Sequence, residues 1–280
     1  MMLRTCTVQA NLDYASEEDA IRKLRVSLRL SGIVGAMFAN SPFVEKKITG
    51  EKSRRTRVWL NVDPDRSGLL PFAWREEKLT IARYVEWVLD CPMFMLKRDG
   101  KIVRNTGQTF RAFMADGFSG LTATQEDWVT HVNSMFPEVR LKRTLEMRSV
   151  DNQSTELVCA MPAVWKGLLY DETALGLAEQ LASRVTYEGA EAARGDVADH
   201  ALHAKLEGRE MADWAGELLA IAKGGLGRIG DKNAQGDDER VHLVRLEKLV
   251  EKGQSPADAL LEKIDPKADL VSEVIAKARL

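Results

Sequence analysis

The sequence is poor in the residues that most often announce a catalytic or metal centre. It has three cysteines, Cys6, Cys91 and Cys159, and four histidines in 280 residues. An odd and scattered set of thiols makes neither a disulfide framework nor a zinc cluster; reduced thiols in a cytoplasmic protein are the expectation. Cys6, on the apolar side of an alternating stretch with no histidine near it, is expected to be a small core residue rather than a nucleophile. His200 and His203 can share a helix face, but no further His or Cys stands near them, so an exposed face is favoured over a metal pair. No apolar run approaches the ~18 residues of a membrane span. The net charge of −2 gives no polycation for nucleic acid or an anionic membrane. No glycine-rich phosphate loop follows a strand, which argues against a P-loop or Rossmann site. Gly224-Gly225-Leu226-Gly227 falls late in a helical pattern and reads as a helix C-terminus.

What is present is alternation. From Pro137 to Asp151, Arg140, Lys142, Thr144, Glu146 and Arg148 fall on one side of a strand. Val139, Leu141, Leu145 and Met147 fall on the other, and Arg143 breaks the pattern. Taken alone, this is a surface strand with a solvated ionic face. Two more stretches alternate in the same way. Leu3–Asp13 puts Thr5, Thr7, Gln9, Asn11 and Asp13 on one side, with Arg4 misplaced among Cys6, Val8, Ala10 and Leu12. Arg54–Asp63 puts Arg55, Arg57, Trp59, Asn61 and Asp63 together. If all three share one antiparallel sheet, its polar face is a concave surface of arginines, one carboxylate and amides. Arginine forks match carboxylate and phosphate oxygens. A Glu can hold Mg²⁺ with phosphate completing the shell. That inventory suits an ATP-dependent step on a carboxylate.

The remaining chain is mostly helical. Ser16 should cap a helix running to about Ala39, bent at Gly32 and Gly35 and stopped by Asn40-Ser41-Pro42. A hairpin is expected at Asp99-Gly100 within 93–104, between helices at 80–90 and at 109–115 and 124–136. Further helices are expected at 163–170, 173–187, 196–206, 211–229, 238–252 and 256–264. The fold class is therefore α+β: an antiparallel sheet packed by helices over residues 1–187, then a helical C-terminal region over 188–280. Trp165 has two readings, core or pocket wall.

Six stretches together resemble the plant and proteobacterial type of glutamate–cysteine ligase. They are R-T-C-T-V-Q-A-N-L-D-Y (Arg4–Tyr14), F-A-N-S-P-F (Phe38–Phe43) and W-x-x-x-D-P-D-R-x-G-x-L-P-F (Trp59–Phe72). The others are Y-V-x-x-x-L-D-x-P-M (Tyr84–Met93), F-P-E-V-R-L-K-R-x-x-E-M-R (Phe136–Arg148) and C-A-x-P-A-x-W-x-G-L-L-Y-D-E (Cys159–Glu172). The resemblance runs to about Glu172 and thins beyond Tyr187. It implies a catalytic funnel like that of glutamine synthetase. It also implies joining of the γ-carboxylate of L-glutamate to the amine of L-cysteine with ATP and Mg²⁺ through an acyl phosphate, the first step of glutathione synthesis.

By position, the resemblance makes Glu146 a magnesium ligand with Gln9, and Arg148 a phosphate or oxyanion clamp. Arg55 becomes the arginine for a substrate carboxylate, and Thr5 and Thr7 become contacts to glutamate. Asn11, Arg140 and Lys142 face the nucleotide, and Trp165, if it is pocket wall, faces substrate. Arg66 either assists phosphate or pairs with Asp63, the latter being favoured. Departures from the family pattern fall at Ile48–Ser53, Arg57, Thr144 and Ser149–Gln153, and they motivate an alternative: a related ligase using a different amine. The sequence opens inside a family motif. This raises the expectation of an N-terminal segment or complementary subunit, and of a fragment that binds without turnover when alone.

Overall fold

The computed structural model describes residues 5–265 and 267–277. Leu3 and Arg4, which the first alternating stretch includes, lie outside the described residues. The regular strand of that stretch is short, Ala10–Leu12.

That strand borders a three-stranded antiparallel sheet, in the order Ala10–Leu12, Leu145–Met147, Val139–Leu141. Pro137–Asp151 is thus not one strand. It folds back at Lys142–Thr144, where the Lys142 amide donates to the Thr144 carbonyl (2.9 Å). Arg143, the one break in the alternation, sits exposed at the tip. The register pairs Arg140 with Glu146 and Leu141 with Leu145. Even numbers face even numbers, so a hairpin centred on Arg143 keeps every side chain on the face that a single long strand would give it. Asn11 pairs with Glu146 on the other edge. One transverse row of the polar face is therefore Asn11–Glu146–Arg140.

The apolar face, Val139, Leu141, Leu145 and Met147, is buried in a core shared with the helix Glu17–Met37. Ser16 caps this helix by accepting from the Asp19 amide (3.1 Å), with Glu17, Glu18 and Asp19 in the first turn against the positive end of the helix dipole. Gly32 and Gly35 lie inside it. At Gly35 a Cβ would come within 3.2 Å of the Ser149 carbonyl, so glycine here serves close approach to the strand end.

The third alternating stretch is not a strand. Arg54–Trp59 is a helix, capped by Ser53, whose hydroxyl accepts from the Thr56 amide (3.0 Å). Arg55 and Arg57 consequently part company. Arg55 is buried, whereas Arg57 turns outward to pair with Asp199. A residue and its fourth neighbour, Arg55 and Trp59, satisfy both a period of two and a helical face, and over so short a stretch the cap decides.

The hairpin forms as expected, Met95–Arg98 with Lys101–Arg104. So do the helices Ile81–Asp90, Phe110–Asp116 and Gln125–Asn133. Further on come Ala160–Leu169, Glu172–Ser183, Tyr187–His200, Met211–Ile229, Val244–Glu251 and Pro256–Leu261. The expected helix over 196–206 is displaced: Thr186 caps a helix that ends at His200, and Lys205–Leu206 pairs with Arg209–Glu210. The Gly224–Gly227 run lies within a helix whose left-handed cap is Gly230. One hydrophobic core runs continuously from Ala10 to Val250, with a smaller cluster of Met93, Leu96, Phe110 and Phe113 beneath the hairpin.

Candidate active site on the polar face of the sheet

Glu146 is the centre of the polar face. Its side chain is 6% exposed, and three cations hold it. Arg140 donates through Nε to Oε2 (3.0 Å) and through Nη2 to Oε1 (3.0 Å). Arg148 Nη1 donates to Oε1 (2.8 Å), and Lys142 Nζ lies 3.1 Å from Oε2. Burial pushes the Glu146 carboxyl up, but the hydrogen bond and charge of Arg140, with Arg148, outweigh it and leave the carboxyl below its usual range.

The cations differ in what they have left to give. Arg140 also donates Nη1 to the carbonyls of Asn133 (2.8 Å) and Met135 (2.9 Å), so all its nitrogens are engaged. Arg148 works through Nη1 alone, to Glu146 and, at 3.5 Å, to the Gln9 amide oxygen. Lys142 is 30% exposed. One carboxylate among three cations leaves a net charge near +2 on a largely dry surface. Arg148 and Lys142 have donors free for an incoming anion, and Arg140 holds the frame.

This donor set does not fit magnesium by itself. Both Glu146 oxygens are committed to cations, Gln9 is exposed and neutral, and the described residues contain no group of three His, Cys, Asp or Glu side chains that could hold a metal. The chemistry of the cluster is that of an anion cradle.

The other expected site residues divide. Gln9 comes within 3.5 Å of Arg148, while Asn11 accepts from the Thr144 hydroxyl (3.0 Å) beside the cluster. Thr7 donates to the Val150 carbonyl (2.6 Å) within the fold. Arg66 is 2% exposed and bonds Asp63 (2.6 Å), the Pro92 carbonyl (2.6 Å) and Ser134 (3.3 Å), which is the structural of its two readings. Trp165 is wholly buried in the main core, likewise the structural reading. Thr5 is half-buried. Arg55 is 5% exposed and donates to the Arg148 carbonyl (2.5 Å). Cys6 is exposed rather than a core residue, because the strand it was expected to extend begins only at Ala10. His200 pairs with Asp196 (3.0 Å) and His203 with Glu210 (3.6 Å), so the two imidazoles do not converge on one site.

One residue was missed altogether. Asp151 is 2% exposed and accepts from the Asn40 amide (2.7 Å), Ser41 Oγ (2.8 Å) and Ser53 Oγ (3.0 Å). Ser53 caps the helix that carries Arg55, and Ser41 Oγ accepts from the Arg55 amide (3.0 Å). Asp151 thus fixes where the Arg55 helix begins. No local pattern could reveal it, because its partners lie 98 to 111 residues away.

Burial raises the Asp151 carboxyl above its usual range, against the opposing Asn40 hydrogen bond. The folded state therefore binds this proton more tightly than the unfolded chain. The Asp151 contribution is most favourable below the unfolded value, about 3.9, and diminishes as pH rises through the folded value. In Asp151→Asn, the wild-type advantage in thermal midpoint should accordingly grow as pH falls from 7 toward 4. A difference that shrinks over that range would refute this assignment.

Comparison with known proteins gives a consistent picture. The profile of glutamate-cysteine ligase family 2 matches residues 1–276. The chain is 41% identical over 270 residues to the chloroplastic glutamate–cysteine ligase B of Oryza sativa subsp. japonica, covering 95% of this chain and 53% of that protein. It is 42% identical over 265 residues to the chloroplastic enzyme of Brassica juncea, with 94% and 50% covered. For that of Arabidopsis thaliana the identity is 41% over 265 residues, with 94% and 49% covered. The chain spans about half the length of the curated relatives it matches. The cytoplasmic location expected from the thiols is overturned by these names, since the relatives are chloroplastic proteins. No helix among the described residues is long and apolar enough to cross a membrane.

Proposed function

The chain belongs to glutamate-cysteine ligase family 2, and from that membership we propose that it carries the phosphate-facing wall of a site that joins the γ-carboxylate of L-glutamate to the amine of L-cysteine at the expense of ATP. The observation that carries this reading is the cationic cluster around Glu146. Charge builds on a transferring phosphoryl group and then on the tetrahedral centre of amide formation, and fixed cations in a dry setting meet it best.

In this reading Arg148 and Lys142 bind the phosphoryl oxygens with their free donors. Glu146 and Arg140 keep those two side chains in place before substrate arrives, so no reorganisation accompanies the reaction. Asn11 and Gln9 border the same surface. Magnesium enters with ATP as its counter-ion, not as an ion held by Glu146 and Gln9 alone. The three-stranded sheet is one wall of a funnel like that of glutamine synthetase. Residues 1–187 form the catalytic region. Residues 188–280 buttress it, consistent with the shared core of the Glu17–Met37, Ala160–Leu169 and Met211–Ile229 helices.

The test is ATP binding by calorimetry, with γ-glutamylcysteine formation measured in parallel. Arg148→Met removes charge-assisted donors worth about 1.5–3 kcal/mol and should weaken ATP at least tenfold. Arg66→Met, whose arginine is engaged elsewhere, should leave the affinity of the folded fraction unchanged. Equal ATP affinity in wild type and Arg148→Met would remove the phosphate-facing role.

A further inference from the structure

Where the chain leaving the sheet meets the C-terminal helices, an open cleft of about 580 Å³ lies between residues 40–43, residues 152–157 and the helices Val244–Glu251, Pro256–Leu261 and Leu270–Lys277. Small-molecule sites occupy about 300–1,000 Å³. Much of the wall comes from residues 245–277, beyond the stretch that carries the six sequence motifs.

The wall has three kinds of surface. Phe43, Leu249, Leu260 and Val274 are apolar. Asn152, Gln153 and Ser154 make a polar floor. Gln153 is 2% exposed, and its Nε2 donates to the carbonyls of Phe38 (2.7 Å) and Asp151 (3.1 Å), which fixes the amide and leaves Oε1 buried without a donor. Buried acceptors are nearly always satisfied, so this one is in want of a partner. The third surface is charged. Arg245, Lys263 and Lys277 stand in the wall against one acid, Glu156, which lies 3.7 Å from Arg245. Among the described residues, no acid lies within ion-pair distance of Lys263 or Lys277. The helix Leu270–Lys277, which supplies Val274 and Lys277, buries none of its own residues.

We propose that this cleft binds a small organic anion, its phosphate or carboxylate group on Lys263 and the neighbouring cations. Its apolar body lies along Phe43, Leu260 and Val274, and an N–H or O–H group supplies the donor that the Asn152–Ser154 floor lacks. A body held between Leu260 and Val274 gives the Leu270–Lys277 helix the packing it does not find within the chain. The inference stands on the cleft alone and does not depend on the ligase reading.

The experiment uses the 280-residue chain with two probes, AMP for a phosphate anion and N-acetylleucine for a carboxylate. Calorimetry should show saturable binding of at least one, and amide hydrogen exchange should slow across 270–277 when that probe is bound. Lys263→Met should weaken it about fivefold. Lys248→Met removes the same charge from an exposed position outside the cleft and should leave the affinity unchanged. Arg148→Met, on the polar face of the sheet, should also leave it unchanged, which separates this cleft from the proposed ATP site. Binding of AMP alone marks a phosphate site, and binding of N-acetylleucine alone or of both marks a cleft that takes carboxylates; each supports the proposal. No saturable binding of either probe overturns it. So does equal affinity in Lys263→Met and Lys248→Met, or binding that Arg148→Met abolishes and Lys263→Met does not weaken.

Discussion

Glu146→Gln should lower the thermal midpoint at pH 7 by about 10 °C. Among the described residues, Glu146 is the one carboxylate in contact with Arg140, Lys142 and Arg148, and its side chain is 6% exposed. Removing one partner of a buried ionic cluster costs about 3–5 kcal/mol, because the remaining charges lose their compensation inside a poorly solvated region. For a protein of this size each kcal/mol moves the midpoint by about 2–4 °C. The effect carries a pH signature. The Glu146 carboxyl sits below its usual range in the folded state, so its stabilisation is present above the unfolded value of about 4.3 and is lost as pH falls through the folded value. The midpoints of wild type and variant should therefore converge on acidification below about pH 4. This is opposite in sign to the behaviour expected of Asp151, so the two carboxylates can be told apart in one pair of titrations. An unchanged midpoint at pH 7 would mean that the three cations are solvated well enough to do without Glu146, and the dry anion cradle would go with it. The same figure changes how activity data must be read. A loss of ligation in Glu146→Gln counts as chemistry only where the variant is still folded.

The polar face was legible because hairpins and long strands impose the same parity. Arg140, Lys142, Glu146 and Arg148 keep one side whether the chain continues past Arg143 or turns there, so the ionic face was right although the strand was not. Arg143 was the available signal for the turn. At Arg54–Trp59 the parity argument failed, because the Ser53 cap outweighed an alternation only a few residues long. The consequence reached the site: Arg55 meets the Arg148 main chain from a helix and not from a neighbouring strand. Asp151 was invisible for another reason. Its role exists only where segments about a hundred residues apart meet, and nothing local in the chain records that meeting. The capped helices, by contrast, follow from Ser16, Thr80, Thr109 and Thr124 acting on their own first turns.

The glycine run late in the Met211–Ile229 helix looked like a terminus, and its real use leads to the second large effect. Gly225→Ala should prevent stable folding at 37 °C, or lower the midpoint by more than 10 °C. A Cβ on Gly225 would lie 1.9 Å from the Gly167 carbonyl oxygen, and one on Gly167 would lie 2.2 Å from the Ala222 carbonyl oxygen. Both obstacles are backbone, so no rotamer change relieves them. The two helices would have to separate by more than an ångström. Around the crossing, Trp165, Leu168, Leu218 and Leu226 are buried in one core, and each would lose contacts if the helices moved apart. Cavity and strain effects of this kind cost several kcal/mol. Gly216 supplies the control within the same helix. It is exposed, and a Cβ there meets nothing within 4 Å. Gly216→Ala should raise stability by about 0.5–1 kcal/mol, since alanine is the better helix former. One substitution type in one helix should thus act with opposite signs nine residues apart. Chemical unfolding of the pair would show whether the approach of the two backbones, rather than helix propensity, is what residue 225 controls. If Gly225→Ala proves as stable as Gly216→Ala, the Ala160–Leu169 and Met211–Ile229 helices do not cross this closely. The buttress on which the catalytic region is proposed to rest would then have to be redrawn.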